Sequence, residues 1–452
     1  MALSQPRFSL YIGSWAVAAL LLLGWMHKTS RCQVQEVPDT QSYRDVSFAS
    51  VSETLLAKRT PVLPALLRVL GRQRESWLPW IHWGIHVFGS AWLATGMLAS
   101  GLPVWQAWVV ALTTLVCCTF TGNVNLISTD ALACSVALIS IGQLLLWLSS
   151  PTTLRLTLLS LTVLLAILIR PSYIFLIGFA PLVGLHLLRL RGASWRAAFG
   201  QAWWVGMVVA APVIAYCLTR FASVGHFHIV AYGSLNLAGI TSQFLDESVV
   251  AEMSGDEAQF ARYVLAARDD WMRGAEVPKG NSYQAIEERW HPLMLMVSRI
   301  QNDLGATNAV DRERQLAAFN RAVIVRRPRQ YAVWVAKAIR QAMRILFTDM
   351  ALHPPFLAFA IAAVVGLLVC SSVWPAGRVL AALPGEQMPT SSRFQLAAVP
   401  VTAAWYFALG LAPIVLSSAP LGRFVDAVGV LVPASLLILL APFARAWRRS
   451  EP

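Results

Sequence analysis

The residues best suited to chemistry in this sequence are acids that stand directly beside apolar segments. Asp39 lies in the short polar stretch 37–43, Val-Pro-Asp-Thr-Gln-Ser-Tyr, which follows the first apolar segment. Asp45 stands six residues further on, and Asp130 opens a later apolar run. A carboxylate at the boundary between water and lipid can accept a proton from a hydroxyl group beside a lipid head group. Asp39 is therefore the candidate general base, and Asp130 is the second candidate acid.

Each acid also has a structural interpretation that the sequence leaves open. Aspartate at a junction between a loop and a helix often accepts hydrogen bonds from the first N–H groups of that helix. Asp130 follows Ser128 and Thr129 in an ordinary helix-start pattern. Its carboxylate could instead help to bind an acceptor or a divalent ion. A pure capping role for Asp39 predicts that asparagine would replace it with little loss, because asparagine caps helices about as well as aspartate.

Arginines provide the second chemical element. Arg59, Arg170 and Arg423 are each predicted at the outer boundary of the membrane, beside a proline or at the end of a span. The planar guanidinium group binds phosphate through paired N–H donors, so these three are candidates to hold a phosphate group. Arg327, in the basic run 326–329, is a fourth candidate. Snorkelling toward lipid head groups and electrostatic attachment to anionic lipid are the competing interpretations.

Composition determines the environment of these residues. The chain has 452 residues, of which 57% are hydrophobic and only 13% are charged, whereas soluble domains carry about 25% charged residues. An integral membrane protein is therefore predicted. Ten apolar runs are long enough to cross a hydrocarbon core of about 30 Å. They lie near residues 9–26, 78–99, 103–120, 129–148, 154–170, 172–188, 199–219, 355–374, 394–417 and 424–443.

Basic residues predict the orientation of these spans. With the N-terminus inside, the predicted cytoplasmic segments carry many arginines against only Glu386 and Glu451, as the positive-inside rule requires. These arginines are Arg7, Arg155, Arg189, Arg191, Arg196, Arg378, Arg393, Arg445, Arg448 and Arg449. The first span has no small-residue cleavage site behind it, which indicates a retained signal anchor. Nearly all non-membrane residues then lie outside, in two loops.

The predicted fold class is an all-α polytopic membrane protein with about ten transmembrane helices and two outer-face loops that contain interfacial helices. Residues 1–219 form an N-terminal transmembrane module that includes the first outer loop, 27–77. Residues 220–354 form the large second outer loop, and residues 355–452 form the C-terminal transmembrane helices. Apolar residues at helical spacing predict two short surface helices in the first loop, near 48–55 and 62–70.

The second outer loop is predicted to be mainly helical. It begins with a turn-rich segment at 231–236 and continues with helical patterns over 256–273 and 311–325. Apolar residues then recur at helical spacing over 331–346, while Lys337, Arg340 and Arg344 share the opposite face. This pattern is typical of a basic amphipathic helix that lies in the membrane interface.

Charge and cysteine content argue against two other classes. The net charge of +13 is spread over loops on both faces of the membrane, so nucleic acid is not a predicted partner. The six cysteines form neither a disulfide framework nor a metal-ligand spacing. His226 and His228 are two residues apart, but a zinc site would need further ligands that the sequence does not supply.

The order of these motifs resembles the integral-membrane GT-C glycosyltransferases, and in particular the bacterial branch with lipid A aminoarabinose and protein mannosyltransferase relatives. The likeness covers about the first 190 residues and the last 30. Five motifs carry it: Pro-Asp-Thr-Gln-Ser-Tyr at 38–43, Lys-Arg-Thr-Pro-Val-Leu-Pro at 58–64, Ser-Thr-Asp at 128–130, Arg-Pro at 170–171 and Arg-Phe at 423–424. Many family members have paired acids in the first loop, where this chain has the single Asp39.

The resemblance implies transfer of a sugar from a polyprenyl-phosphate donor to a lipid, glycan or protein acceptor. It places the active site on the outer face of the bacterial inner membrane, with Asp39 in the catalytic position and arginines on the donor phosphate. The use of a divalent cation is left open, as is the acceptor. Two alternatives also fit an outer-face membrane protein: a transporter or flippase of a lipid-linked glycan, and an enzyme similar to O-antigen ligases or polymerases.

Overall fold

The chain folds into helices throughout the part that the structure describes. The computed structural model describes residues 5–231, 233–274, 277–280, 282–305, 308–354, 357, 361 and 390–447. The first eleven helices are α1 (Gln5–Lys28), α2 (Thr40–Arg44), α3 (Val51–Leu56), α4 (Val62–Leu70), α5 (Leu78–Ala99), α6 (Val104–Leu115), α7 (Cys118–Asn123), α8 (Asp130–Ser149), α9 (Thr153–Ile169), α10 (Leu176–Leu190) and α11 (Trp195–Val224). The others are α12 (Gly233–Thr241), α13 (Glu247–Ala251), α14 (Gly255–Met272), α15 (Tyr283–Asp303), α16 (Ala309–Arg326), α17 (Pro328–Leu352), α18 (Thr390–Ser417), α19 (Gly422–Gly429) and α20 (Val432–Trp447). Within these ranges there is no strand, and one isolated β-bridge joins Gln35 to Leu126.

Several helical segments are long and apolar enough to cross a membrane. Five meet this condition: Val104–Asn123, Asp130–Ser149, Pro171–Leu190, Trp195–Val224 and Arg393–Ser417. A sixth would be the pair Gly422–Gly429 and Val432–Ala441, which is bent by 47°. The chain is thus an all-α membrane protein.

The predicted count of about ten spans is not confirmed. The predicted spans at 9–26 and 78–99 form the helices α1 and α5, and the one at 154–170 forms the 17-residue apolar helix α9. None of these three is among the five or six candidate spans. The predicted span at 355–374 lies outside the described residues, apart from positions 357 and 361.

Helices α5 and α8 form the tightly packed centre of the bundle. Gly96 faces Gly142 so closely that a Cβ atom at Gly96 would lie 2.5 Å from the Gly142 carbonyl oxygen. His86 is buried beside them, with its Nδ1 atom 3.0 Å from Ser135 Oγ and its Nε2 atom 3.0 Å from the Thr114 carbonyl. Small residues and interhelical hydrogen bonds are the usual means of joining helices where water is excluded.

The first outer loop forms a small platform at one end of this bundle. Ser50 accepts a hydrogen bond from the Glu53 N–H group at the start of α3, in the Ser-x-x-Glu pattern of a capping box. Leu63 and Leu67 of α4 are buried with Tyr43, Leu78 and Ile127 in one cluster. Both predicted helices are present, although α3 begins only at Val51, and their position along the membrane surface stays a prediction.

The second outer loop has its own hydrophobic core, formed by α12 to α16. Phe260 of α14 and Phe319 of α16 meet edge to face in it, with ring centroids 5.3 Å apart. The predicted helical patterns at 256–273 and 311–325 correspond to α14 and α16. The segment 231–236 is only partly a turn, because α12 begins at Gly233. Helix α15 was not predicted. Its buried residues keep helical spacing across Pro292, as at Trp290, Leu293 and Val297, but a proline inside a segment argues against a continuous helix.

Helix α17 lies between the domain formed by α12 to α16, called the outer domain after its predicted position, and the C-terminal end of α18. Its buried residues recur every four positions, at Trp334, Ala338, Ala342, Leu346 and Met350. The Trp334 ring stacks on Tyr283 of α15 at a centroid distance of 5.5 Å, and the Tyr331 hydroxyl donates to the Leu416 carbonyl at 2.6 Å. The predicted helix is present with one buried face, and its position in the membrane interface stays a prediction.

Candidate functional site

Asp39 forms an ion pair and does not cap a helix. It occupies the N-cap position of α2, yet its side chain makes no capping hydrogen bond. Its Oδ1 atom instead lies 2.7 Å from Arg59 Nη2, and 39% of its side chain is exposed. Arg59 also donates from Nε to Ser42 Oγ at 2.7 Å and lies 4.6 Å from the centroid of the Tyr43 ring. The carboxylate is therefore held by a cation and is open to a ligand.

Asp130 forms a second ion pair of the same length. Its Oδ1 atom lies 2.7 Å from Arg170 Nη1, but only 2% of its side chain is exposed. Arg170 also donates to Thr129 Oγ1 at 3.2 Å and to Ser172 Oγ at 3.1 Å. Thr129 is the N-cap residue of α8, and Asp130 lies in the first turn, where a carboxylate is favoured by the helix dipole. The predicted second acid is thus buried against the predicted second phosphate ligand.

A hydrogen bond connects the two ion pairs. Thr60, next to Arg59, donates from Oγ1 to the carbonyl of Ile169 at 3.0 Å, and both groups are buried. Ile169 is the last residue of α9 and precedes Arg170, so this bond also satisfies a carbonyl that the helix end leaves without a partner. Tyr43, under Arg59, lies close enough to interact electrostatically with Arg170. The two pairs form one cluster.

Arg423 joins the cluster through an aromatic ring. Its guanidinium carbon lies 4.9 Å from the centroid of the Phe424 ring, and that of Arg170 lies 5.1 Å from the same centroid. The two guanidinium carbons are therefore no more than about 10 Å apart. Arg423 is exposed, and among the described residues it forms no ion pair. Three of the four predicted phosphate ligands thus lie together, while their role in binding phosphate stays a prediction.

The connection between the first outer loop and the segment before α8 positions both acids. The Gln35 N–H donates to the Asn125 carbonyl at 2.8 Å, and the Ile127 N–H donates to the Gln35 carbonyl at 3.0 Å. On the other side of Asp39, Arg44 forms a nearly buried ion pair with Glu75 at 2.5 Å. Neither contact was predicted, because nothing in the spacing of these residues indicates that they meet.

Arg327, the fourth predicted phosphate ligand, has partners in the outer domain. Its Nη2 atom donates to Asp246 Oδ2 and to Ser248 Oγ, both at 2.6 Å. Burial alone would raise the pKa of Asp246. Hydrogen bonds from the Val249 N–H and the Ser248 hydroxyl, together with Arg327, outweigh burial and lower the pKa to about 2. These contacts attach α13 to the start of α17. Arg327 shows no contact with the described residues of the Asp39 cluster, and its role in binding the phosphate of the sugar donor stays a prediction.

Polar side chains from α7 and from the end of α17 also lie beside α19, and no sequence pattern indicated that they meet. His353 Nε2 lies 2.7 Å from Thr121 Oγ1, although the two residues are 232 positions apart. Asp349 approaches the start of α19 so closely that a Cβ atom at Gly422 would lie 2.9 Å from its Oδ2 atom. Burial raises the pKa of Asp349. Within the described part of the chain, no group of three or more His, Cys, Asp or Glu residues is placed to hold a metal ion.

Comparison with known proteins adds no relative to this picture. No protein-family model matches the chain, and no curated protein or solved structure matches it either. The resemblance to the GT-C glycosyltransferases consequently rests on the motifs quoted above.

Proposed function

We propose that this protein is a membrane glycosyltransferase that moves a sugar from a polyprenyl-phosphate donor to a lipid, glycan or protein acceptor. The observation that carries the proposal is the exposed Asp39 carboxylate in a cluster that also contains Arg59, Arg170 and Arg423. A base and several cations at one end of a membrane bundle are what transfer from a lipid phosphate requires.

In the proposed reaction, the carboxylate of Asp39 takes the proton of an acceptor hydroxyl group. The acceptor oxygen then forms a bond to the anomeric carbon of the sugar, and the bond from that carbon to the phosphate oxygen breaks. The phosphate leaves with an additional negative charge. Arginine guanidinium groups stabilise that charge, and exposed Arg423 is the best placed of the three to meet it.

Asp130 has a different role in this proposal. Because only 2% of its side chain is exposed, it has almost no surface to offer a substrate. Its contact with Arg170, together with those of Thr129 and Ser172, fixes the direction of one guanidinium group. We therefore assign Asp130 to positioning and not to proton transfer.

The proposed orientation places the cluster on the outer face of the bacterial inner membrane. Both outer loops lie at the same end of the bundle as Asp39. Arg155 and Arg191 lie at the opposite end, where they donate to the carbonyls of Leu146 and Leu148. Labelling of Cys32, in the first loop, by a membrane-impermeant thiol reagent on intact cells tests this orientation. A Cys32→Ser variant provides the background, and protection of Cys32 until the cells are opened would reverse the assignment.

The decisive test of the enzyme proposal is the substitution Asp39→Asn. It keeps the size of the side chain and removes the basic electron pair, so transfer from a polyprenyl-phosphate sugar should fall by a factor of roughly 10² to 10⁴. Thermal stability should change little, because the pair is partly exposed.

Asp45 provides a matched control for this test. It lies at the other end of the same short helix, is exposed, and accepts a hydrogen bond from Gln41 at 2.5 Å. Asp45→Asn should leave turnover unchanged. Normal turnover by Asp39→Asn would remove Asp39 from the mechanism. Movement of the lipid-linked glycan across the membrane of reconstituted vesicles, without transfer of its sugar, would favour the transporter interpretation.

A further inference from the structure

A second cluster of basic groups surrounds the outer end of α11, and its centre is a fully buried arginine. Arg220 has no exposed surface. Its Nε atom donates to the Leu55 carbonyl at 2.8 Å, and its Nη1 atom donates to His226 Nδ1 at 2.7 Å and to the His228 carbonyl at 3.0 Å. Its Nη2 atom is buried and has no hydrogen-bond partner in the structure.

These partners leave the charge of Arg220 without a neutralising acid. A carbonyl or a neutral imidazole satisfies an N–H group but carries no negative charge, and a buried cation ordinarily has an anionic partner. Glu313 is near enough to interact electrostatically with Arg220. Its carboxylate, however, is hydrogen-bonded by the N–H and hydroxyl groups of Ser234. Within the described residues no carboxylate forms an ion pair with Arg220.

Further donors face the same region. Because Arg220 donates to Nδ1 of His226, the neutral ring carries its proton on Nε2, which points away from Arg220. Burial, together with the charges of Arg220, His228 and Arg314, lowers the pKa of His226 to about 4. Arg314 reaches across from α16 and donates from Nη2 to the Gly225 carbonyl at 2.7 Å.

Lys58 lies near the cluster, because it follows shortly after α3, whose Leu55 carbonyl accepts from Arg220 Nε. Burial and the charges of Arg312 and Arg59 lower the pKa of its ammonium group. Asp311, at the start of α16, is half exposed and lies 3.6 Å from Arg314.

We propose that the exposed Arg314 and Lys58 bind the phosphate of a lipid head group beside the uncompensated charge of the buried Arg220, at a site separate from the Asp39 cluster. Arg220 of α11 and Arg314 of α16 both donate to the segment 225–228, and a phosphate has several oxygens that accept from guanidinium donors. The surrounding surface indicates that the phosphate is attached to a lipid. Leu218, Phe221 and Phe227, next to the site, are apolar and about half exposed. The proposal does not depend on sugar transfer.

Binding of a short-chain lipid to the full-length protein tests this site. Purified protein in neutral detergent would be titrated with dihexanoyl phosphatidic acid, dihexanoylglycerol and inorganic phosphate, and each Kd measured by thermophoresis. We expect the phosphatidic acid to bind and the glycerol lipid, which lacks phosphate, not to bind. Weaker binding of inorganic phosphate identifies a lipid ligand. Equal binding of both keeps the phosphate site and assigns it to soluble phosphate esters.

Two exposed residues make the test independent of folding. Lys58→Gln and Arg314→Gln should each raise the Kd for phosphatidic acid about tenfold, since each removes one charge-assisted contact. Arg273→Gln is the matched control, because Arg273 is 77% exposed at the end of α14 and forms an ion pair with Asp270. The proposal fails if dihexanoylglycerol binds as tightly as phosphatidic acid. It also fails if Lys58→Gln and Arg314→Gln bind as tightly as wild type.

Discussion

Two acid–arginine pairs in this protein have the same length and opposite surroundings. Asp39–Arg59 and Asp130–Arg170 both have closest N–O distances of 2.7 Å. The Asp39 side chain is 39% exposed, and the Asp130 side chain is 2% exposed. The N–O distance within an ion pair therefore does not indicate the role of that pair. Solvent access decides whether a carboxylate can meet a substrate or can only hold its partner.

The different surroundings follow from where each acid lies in the fold. Asp39 precedes a five-residue helix on the surface platform, where its partner Arg59 also bonds to Ser42 and lies over the Tyr43 ring. Asp130 lies in the first turn of α8, the most buried of the candidate spans. In that low-dielectric position an unpaired charge would be costly, so we expect removal of either partner to destabilise the fold.

Replacing each acid with alanine and measuring stability tests whether burial separates the roles of the two pairs. Asp130→Ala should lower the free energy of unfolding by about 3–5 kcal/mol, because it leaves a nearly buried guanidinium group unpaired. Asp39→Ala should lower it by less than about 1 kcal/mol, because the partly exposed Arg59 regains water. Denaturant unfolding in detergent measures both. Equal losses would mean that exposure does not separate the pairs.

A double variant controls for this difference. Replacing both charges, as in Asp130→Ala with Arg170→Met, should recover part of the stability, since no buried charge is then left unpaired. A loss equal to the sum of the two single losses would argue against the ion pair as the cause.

Substitutions of Arg423 are expected to have a smaller effect, on the KM for the donor. Arg423→Ala should raise the KM for the donor, and Arg423→Lys should not restore it, because an ammonium group cannot bind phosphate in the paired geometry of guanidinium. The effect should be about tenfold, as for loss of one charge-assisted contact. Steady-state kinetics with a polyprenyl-phosphate sugar measures it. An unchanged KM in both variants would remove Arg423 from the donor site.

A third pair, Asp246–Arg327, gives the smallest predicted effect and a pH dependence. The folded protein holds the pKa of Asp246 at about 2, whereas an unfolded aspartate titrates near about 4. Folding therefore favours the charged form, and the resulting stability is present above about pH 4 and is lost as the pH falls toward 2.

Thermal unfolding of the wild type and of Asp246→Asn between pH 5 and 2 measures this loss. The difference between the two proteins should shrink as the pH falls. Because the Asp246 side chain is 47% exposed, the contribution should be a modest one. A difference that stays constant over this range would show that the pair does not titrate with folding.

Sequence patterns predicted the elements that periodicity governs. The apolar spacing in the first outer loop identified α3 and α4, and the amphipathic pattern over 331–346 identified α17. Such patterns are local, since each residue's face follows from its position in the helix. Helix α15 was missed, because a proline inside a segment argues against a helix even though the apolar spacing continues across Pro292. The patterns also did not establish the number of spans.

The sequence by itself determined that this is a helical membrane protein and that acids and arginines stand at the ends of apolar segments. Only the tertiary structure decided which of them meet. Thr60 bonds to Ile169 across 109 positions, and Arg170 and Arg423 share the Phe424 ring. In the tertiary structure Arg327 also pairs with Asp246, and Asp130 is buried while Asp39 is partly exposed. Contacts between distant segments and the burial of a side chain depend on how helices pack, and a local pattern of residue types carries no record of that packing.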